Sequence, residues 1–164
     1  MQRLWAPWRV QYLTTIGKKG KGCLFCKLAK EERSAQDYVV VRWKHCYAVL
    51  NIFPYNNGHL LIVPYRHVDD LNKMKDAERL EFFDLLAYMK ELLQEVLHPD
   101  GFNIGMNIGH AAGAGIPKHL HMHLVPRWTG DVNFMPVLGD VKVISQSLEE
   151  LHQKLIEADK KKNK

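Results

Sequence analysis

No stretch of this 164-residue chain approaches the roughly 20 consecutive apolar residues that a membrane-spanning helix needs. The opening MQRLWAPWRVQYL has no continuous apolar segment, so a secretory leader is not expected and a cytoplasmic location is. Cysteine is scarce: three residues, one of them unpaired by parity, make no disulfide framework for a chain of this size. No internal repeat is visible, and no low-complexity tract precedes the tail DKKKNK. The length leaves room for one domain with a real core and not for two comfortable ones. An acidic excess is also missing. Much of the net charge of +5 sits in that tail, read as a solvated end, and the mildly basic remainder suits a polyanionic small ligand. Neither a membrane nor a nucleic-acid partner is expected.

What is present divides into an aromatic-rich arm (1–21) carrying Trp5, Trp8 and Tyr12, a central domain (22–144), and a C-terminal helix with the basic tail (145–164). YVVVRW (38–43) and CYAVLNI (46–52) flank Lys44-His45 as a predicted hairpin, and HLLIVP (59–64) is a third strand after the turn signals of FPYNNG. From Asp76 to Leu97 the period changes. Leu80, Phe83, Leu86, Leu93 and Leu97 recur at helical spacing, with Asp76 as the expected N-cap and HPDG (98–101) as the stop. FNIGMNIG (102–109) reads as a fourth strand, HAAGAGIPK as a glycine-rich loop, HLHMHLVP (119–126) as a fifth strand, and SLEELHQKLIEADKK (147–161) as an amphipathic helix. The fold expected is α+β: an antiparallel sheet of about five strands with one long central helix and a C-terminal helix.

The chemistry concentrates in HLHMHLVPR. On a strand, residues i, i+2 and i+4 share one face, so His119, His121 and His123 point together while Leu120, Met122 and Leu124 enter a core. Three solvated histidines on a sheet face are one reading. A shared ion is another, strained because the outer two α-carbons lie about 13 Å apart. The third is a division of labour. Neutral imidazole is a competent nucleophile near neutral pH, and attack on phosphorus by one ring nitrogen needs the other held by an acceptor. It also needs donors around the phosphoryl oxygens, which a loop with Gly113 and Gly115 can supply through its backbone. Cys23-Leu-Phe-Cys26 adds a spacing that, in a reducing compartment, means metal or redox chemistry before a bridge. It is also compatible with two buried free thiols. Cys46, inside a strand, reads as core packing.

HLHMHLV resembles the motif of the histidine triad superfamily of nucleotide hydrolases and transferases at every position, apolar residues separating the histidines. LNIFPYNNGHLLIVPYRH (50–67) looks like the family's second block, and NIGHAAGAGIPKH leads into the triad in the same way. The opening MQRLWAPWR and PRWTGDVNFMP (126–136) are similar to the branch of diadenosine tetraphosphate phosphorylases and hydrolases. That resemblance implies an adenine nucleotide substrate, an adenylyl-histidine intermediate and a homodimer. By the same resemblance His121 is the nucleophile and His123 a donor to phosphate or the scissile oxygen. Asn51 would hold ribose hydroxyls, Asn107 would lie by the bridging phosphates, and Gly113, Ala114, Gly115 and Ile116 would face phosphate with their backbone. It also implies a structural zinc held by Cys23, Cys26, His67 and His119. The loop departs from relatives in having Ala, Gly and Ile where Ser or Thr and Gln are frequent, and in one extra residue between Asn107 and His119. A purine nucleoside phosphoramidase or a non-catalytic nucleotide-binding module are the competing readings. Packing is favoured over adenine stacking for Trp5, Trp8 and Trp128.

Overall fold

The β-branched and aromatic runs between residues 39 and 64 pair as consecutive antiparallel strands, β1 (Val39–Arg42), β2 (Cys46–Leu50) and β3 (Leu60–Pro64). They belong to a computed structural model that describes residues 22–30, 37–131 and 144–163. A short helix α1 (Leu24–Lys30) precedes them, and the long α2 (Asp76–Leu97), β4 (Gly101–Met106), β5 (Met122–Arg127) and α3 (Leu148–Lys162) follow. All pairings are antiparallel, in the order β1-β2-β3-β5-β4. This is the expected five-stranded sheet with one long helix and a C-terminal helix. The arm 1–21, with Trp5 and Trp8, lies outside the described residues, as do the last residues of the segment 126–136. Among the described residues no helix is long and apolar enough to cross a membrane.

The period of two along each strand gives the sheet two unlike faces. Cys46, Ala48 and Leu50 of β2, Leu60 and Ile62 of β3, and Met122 and Leu124 of β5 meet Phe82, Leu85, Met89, Leu92 and Leu93 of α2 and Leu151 and Leu155 of α3. The opposite face carries Tyr47, Val49, Leu61 and Val63, against which α1 lays Phe25.

Four expectations need correction. The buried arc of α2 runs through Phe82, Leu85, Leu86, Met89, Leu92 and Leu93, whereas Leu80 and Phe83 are 67% and 52% exposed. Apolar spacing alone could not distinguish the two stripes, because both recur every three to four residues. The N-cap is Lys75 rather than Asp76, and Glu78 accepts its backbone N–H at 2.8 Å. Finally, the ladder of β5 begins only at Met122. Leu120 instead donates its backbone N–H to the Val68 carbonyl at 2.6 Å, which draws residues 119–121 away from strand pairing. Similarly, β4 stops at Met106.

Candidate active site

That diversion sets the first histidine apart from the other two. The His119 ring is fully buried, with Nε2 2.9 Å from the Pro64 carbonyl oxygen. A carbonyl only accepts, so a neutral His119 carries its proton on Nε2 and turns the Nδ1 lone pair the other way. There Nδ1 lies 3.3 Å from Cys23 Sγ and 3.5 Å from Cys26 Sγ, and Cys26 Sγ is 3.2 Å from His67 Nδ1. The four ligand atoms all lie within 4.8 Å of one another. Metal–sulfur and metal–nitrogen bonds of about 2.3 and 2.0–2.1 Å make a tetrahedron with edges of roughly 3.3–3.8 Å, so the set suits one tetrahedral ion. The Pro64 carbonyl is the outer partner that fixes a ligating imidazole.

His121 is set by the same device with opposite sense. Its Nδ1 is 2.8 Å from the carbonyl oxygen of His119, so Nδ1 donates and Nε2 keeps its lone pair. Among the described residues that Nε2 has no hydrogen-bond partner. Burial pushes the His121 pKa below the ordinary 6.5, which keeps the ring neutral. Burial also lowers the pKa of His119.

His123 takes its state from a residue the sequence left unassigned. The backbone N–H of Phe53 donates to Asn51 Oδ1 at 2.9 Å, which fixes the amide so that Asn51 Nδ2, a donor, lies 3.3 Å from His59 Nδ1. The backbone N–H of Tyr55 points at the same Nδ1 at 3.0 Å. Two donors make that nitrogen an acceptor, so the His59 proton sits on Nε2 and is given to His123 Nδ1 at 2.9 Å. A neutral His123 then bears its own proton on Nε2. Neighbouring imidazoles 5.1 Å apart thus hold opposite tautomers, one presenting a lone pair and the other an N–H. Together they can attack an electrophile and donate a hydrogen bond to its leaving group.

The loop 53–58 that positions His59 is itself anchored. Tyr55 packs its ring on His59 and His123, at 4.6 and 5.6 Å between centroids. Asn56 donates to Asp131 Oδ2 at 2.7 Å and to the Pro126 carbonyl at 3.2 Å, and Asp131 forms a two-pronged ion pair with Arg127. Gly58 has φ +76, and a Cβ there would lie 2.6 Å from Leu97 Cδ1, so this turn demands glycine.

The remaining expected residues cluster around these. Asn107 donates its side-chain amide to the Ala112 carbonyl, bracing the loop that leads into Gly113, whose φ is +81. Ala114 is buried, and Gly115 and Ile116 are half-buried. Burial drives the Cys46 thiol up to about 12, as suits core packing. Sequence reasoning missed His59, Tyr55 and Phe25. His59 heads a strand and shares the face of Leu61, which pairs with His123, but only the strand register reveals that neighbourhood.

A family model for the HIT domain matches residues 32–130. The chain is 39% identical to the AP-4-A phosphorylase of Mycobacterium tuberculosis over 161 residues, 94% of this chain and 83% of that protein. It is 38% identical to an uncharacterised HIT-like protein of Methanocaldococcus jannaschii, over 73% of this chain and 89% of that one. Among solved structures, a Zn-bound histidine triad family protein from Mycobacterium smegmatis superposes with a TM-score of 0.70 at 25% identity, covering 87% of this chain and 96% of that one. A histidine triad nucleotide-binding protein from Sulfolobus tokodaii gives 0.68 at 26%, covering 85% and 93%.

Proposed function

The chain belongs to the HIT domain family, and from that premise we propose that it splits a dinucleoside polyphosphate such as diadenosine tetraphosphate by two-step adenylyl transfer. His121 Nε2 attacks the α-phosphorus. The bond from that phosphorus to the bridging oxygen breaks and its electron pair leaves with ATP, whose departing oxygen accepts a hydrogen bond from His123 Nε2–H and needs no proton near neutral pH. Inorganic phosphate then attacks the adenylyl-histidine, releasing ADP and restoring the free imidazole. Splitting the displacement lets one positioned ring serve both halves, while backbone N–H groups from Ala114 to Ile116 stabilise charge on the equatorial oxygens; the Gly113 N–H is given to the His110 carbonyl at 3.0 Å and shapes the loop instead. In this reading Asn51 would hold ribose hydroxyls and Asn107 would lie by the bridging phosphates, each exchanging a hydrogen bond it now makes within the protein.

The observation that carries this reading is the opposed tautomers of His121 and His123, each set by a named partner. Phosphate as acceptor, rather than water, is supported by the 39% identity to an AP-4-A phosphorylase over most of the chain. Cys23, Cys26, His67 and His119 would hold zinc. Two thiolates and two imidazoles close a tetrahedron with no open position, so the ion would organise the fold rather than take part in the reaction. A reducing, cytoplasmic location suits those thiolates. At the sheet's β4 end Asn103, Ile104 and Gly105 are exposed, and a second copy joining there would make the homodimer. The division into arm 1–21, HIT domain 22–144 and C-terminal helix with tail 145–164 is part of the same reading.

Product analysis of diadenosine tetraphosphate cleavage, with and without inorganic phosphate, tests it. ADP plus ATP formed only with phosphate is expected. AMP plus ATP in its absence would make water the acceptor. No cleavage, with no acid-labile adenylyl group on the protein, would overturn the enzyme reading. Cleavage of adenosine phosphoramidates alone would replace the substrate.

A further inference from the structure

We infer that Phe25 is a positioning residue for the nucleophile, a wall carried by the metal-binding turn that holds the His121 ring in its attacking orientation. This rests on the assignment of His121 above. Of the two residues between the paired cysteines, Leu24 is 48% exposed while Phe25 is 3% exposed. The Phe25 ring lies edge-on to His119, 5.4 Å between centroids, and tilted against His121 at 5.0 Å. His123 also packs on the His121 ring, edge-on at 5.1 Å between centroids. The single hydrogen bond at Nδ1 fixes which nitrogen carries the proton, but a ring tethered at one atom can still swing about it. Flanking contacts remove that freedom.

Phe25 has no rigid element of its own to stand on. Helix α1 has seven residues, too few to be stable alone. Its anchors are therefore the wall's anchors. Buried Tyr47 donates its hydroxyl to the Phe25 carbonyl at 2.8 Å, Arg42 donates to the Leu28 carbonyl at 2.8 Å, and Cys23 and Cys26 converge on His119 and His67. The metal turn thus touches the nucleophile twice: through the His119 backbone, which sets the tautomer, and through Phe25, which sets the ring's placement. The second link runs through a side chain that binds no metal, so the two can be separated by substitution.

The experiment compares wild type, Phe25→Ala and Phe25→Leu in zinc content per chain, KM, single-turnover adenylylation from diadenosine tetraphosphate, and the ¹⁵N ring signals of His121. Phe25→Ala should retain its zinc and its KM, lose about ten- to a hundredfold in adenylylation rate, and show His121 signals that shift or broaden. Phe25→Leu, which refills the space, should recover most of the rate. If Phe25→Ala does not fold, Phe25→Leu is read alone, and a rate below wild type at full zinc content is expected. An unchanged rate overturns the inference. So does a raised KM with kcat kept, which would make Phe25 a substrate contact, and so does a rate that falls only in proportion to zinc lost. Should wild type itself form no adenylyl-histidine, the functional reading fails instead. The His121 signals then decide on Phe25 alone, unchanged signals in Phe25→Ala overturning the wall.

Discussion

The two faces of the same strands obey different rules. Toward α2 and α3, Ala48, Leu50, Leu60, Ile62, Met122 and Leu124 are all at most 3% exposed, and any apolar side chain of the right volume would satisfy them. On the other face His59, His119 and His121 are as deeply buried, at 1%, 0% and 5%, yet each ring nitrogen in contact must find a group of the right sense. A buried polar atom without a partner costs roughly 1–3 kcal/mol, so the catalytic face is specified atom by atom where the core face is specified by volume. Burial supports packing on one side and fixes proton positions on the other.

Substitutions on the two faces should therefore fail in different ways. The largest effect expected is from His121→Ala, which removes the proposed nucleophile. Turnover should drop by at least about 10³-fold, some 4 kcal/mol of barrier, with little change in melting, as steady-state kinetics and thermal denaturation would show. Wild-type turnover in that variant would remove His121 from the chemistry. On the core face Leu93→Ala should do the reverse, destabilising the fold by about 2–5 kcal/mol in chemical denaturation while the folded fraction keeps its activity.

A third test lies in acid, at the rim of the catalytic face. Hydrogen bonding from Arg127 holds the Asp131 carboxyl down to about 2, against an ordinary 3.8. The unfolded chain binds the proton first as pH falls, so the stabilisation is complete above 3.8 and is lost between there and about 2. Asp131→Asn should flatten that part of the acid-melting profile, and an unchanged profile would leave the pair without influence on stability. The smallest effect is expected from Phe83→Ser. Its side chain is half exposed on the outer side of α2, so stability should move by no more than about 0.5 kcal/mol. A loss like that of Leu93→Ala would mean that this stripe is covered.

The same contrast explains what was legible in the sequence. The end of α2 at Leu97 follows from apolar period and the Pro-Asp-Gly stop and stands as expected, while its cap lies one residue earlier, at Lys75. Leu80 and Phe83 misled because hydrophobicity marks candidates for burial and not the direction from which a sheet arrives. The alternating histidines announced chemistry, but their tautomers depend on the Pro64 carbonyl, the His119 carbonyl and, through His59, the amide groups of Asn51 and Tyr55. Those partners are far apart in sequence or belong to the backbone, which composition does not show. His59 stayed unassigned for that reason: its tie to His123 spans 64 positions and exists only in one strand register.

The relay from loop 53–58 through His59 to His123 is tested most directly by ¹⁵N long-range NMR of the histidine rings in mildly alkaline buffer. His121 should show a protonated Nδ1 and a bare Nε2, and His123 the reverse, with His59→Ala releasing His123 to a mixture while His121 keeps its state. The same tautomer on both rings, or a His123 indifferent to the loss of His59, would contradict it.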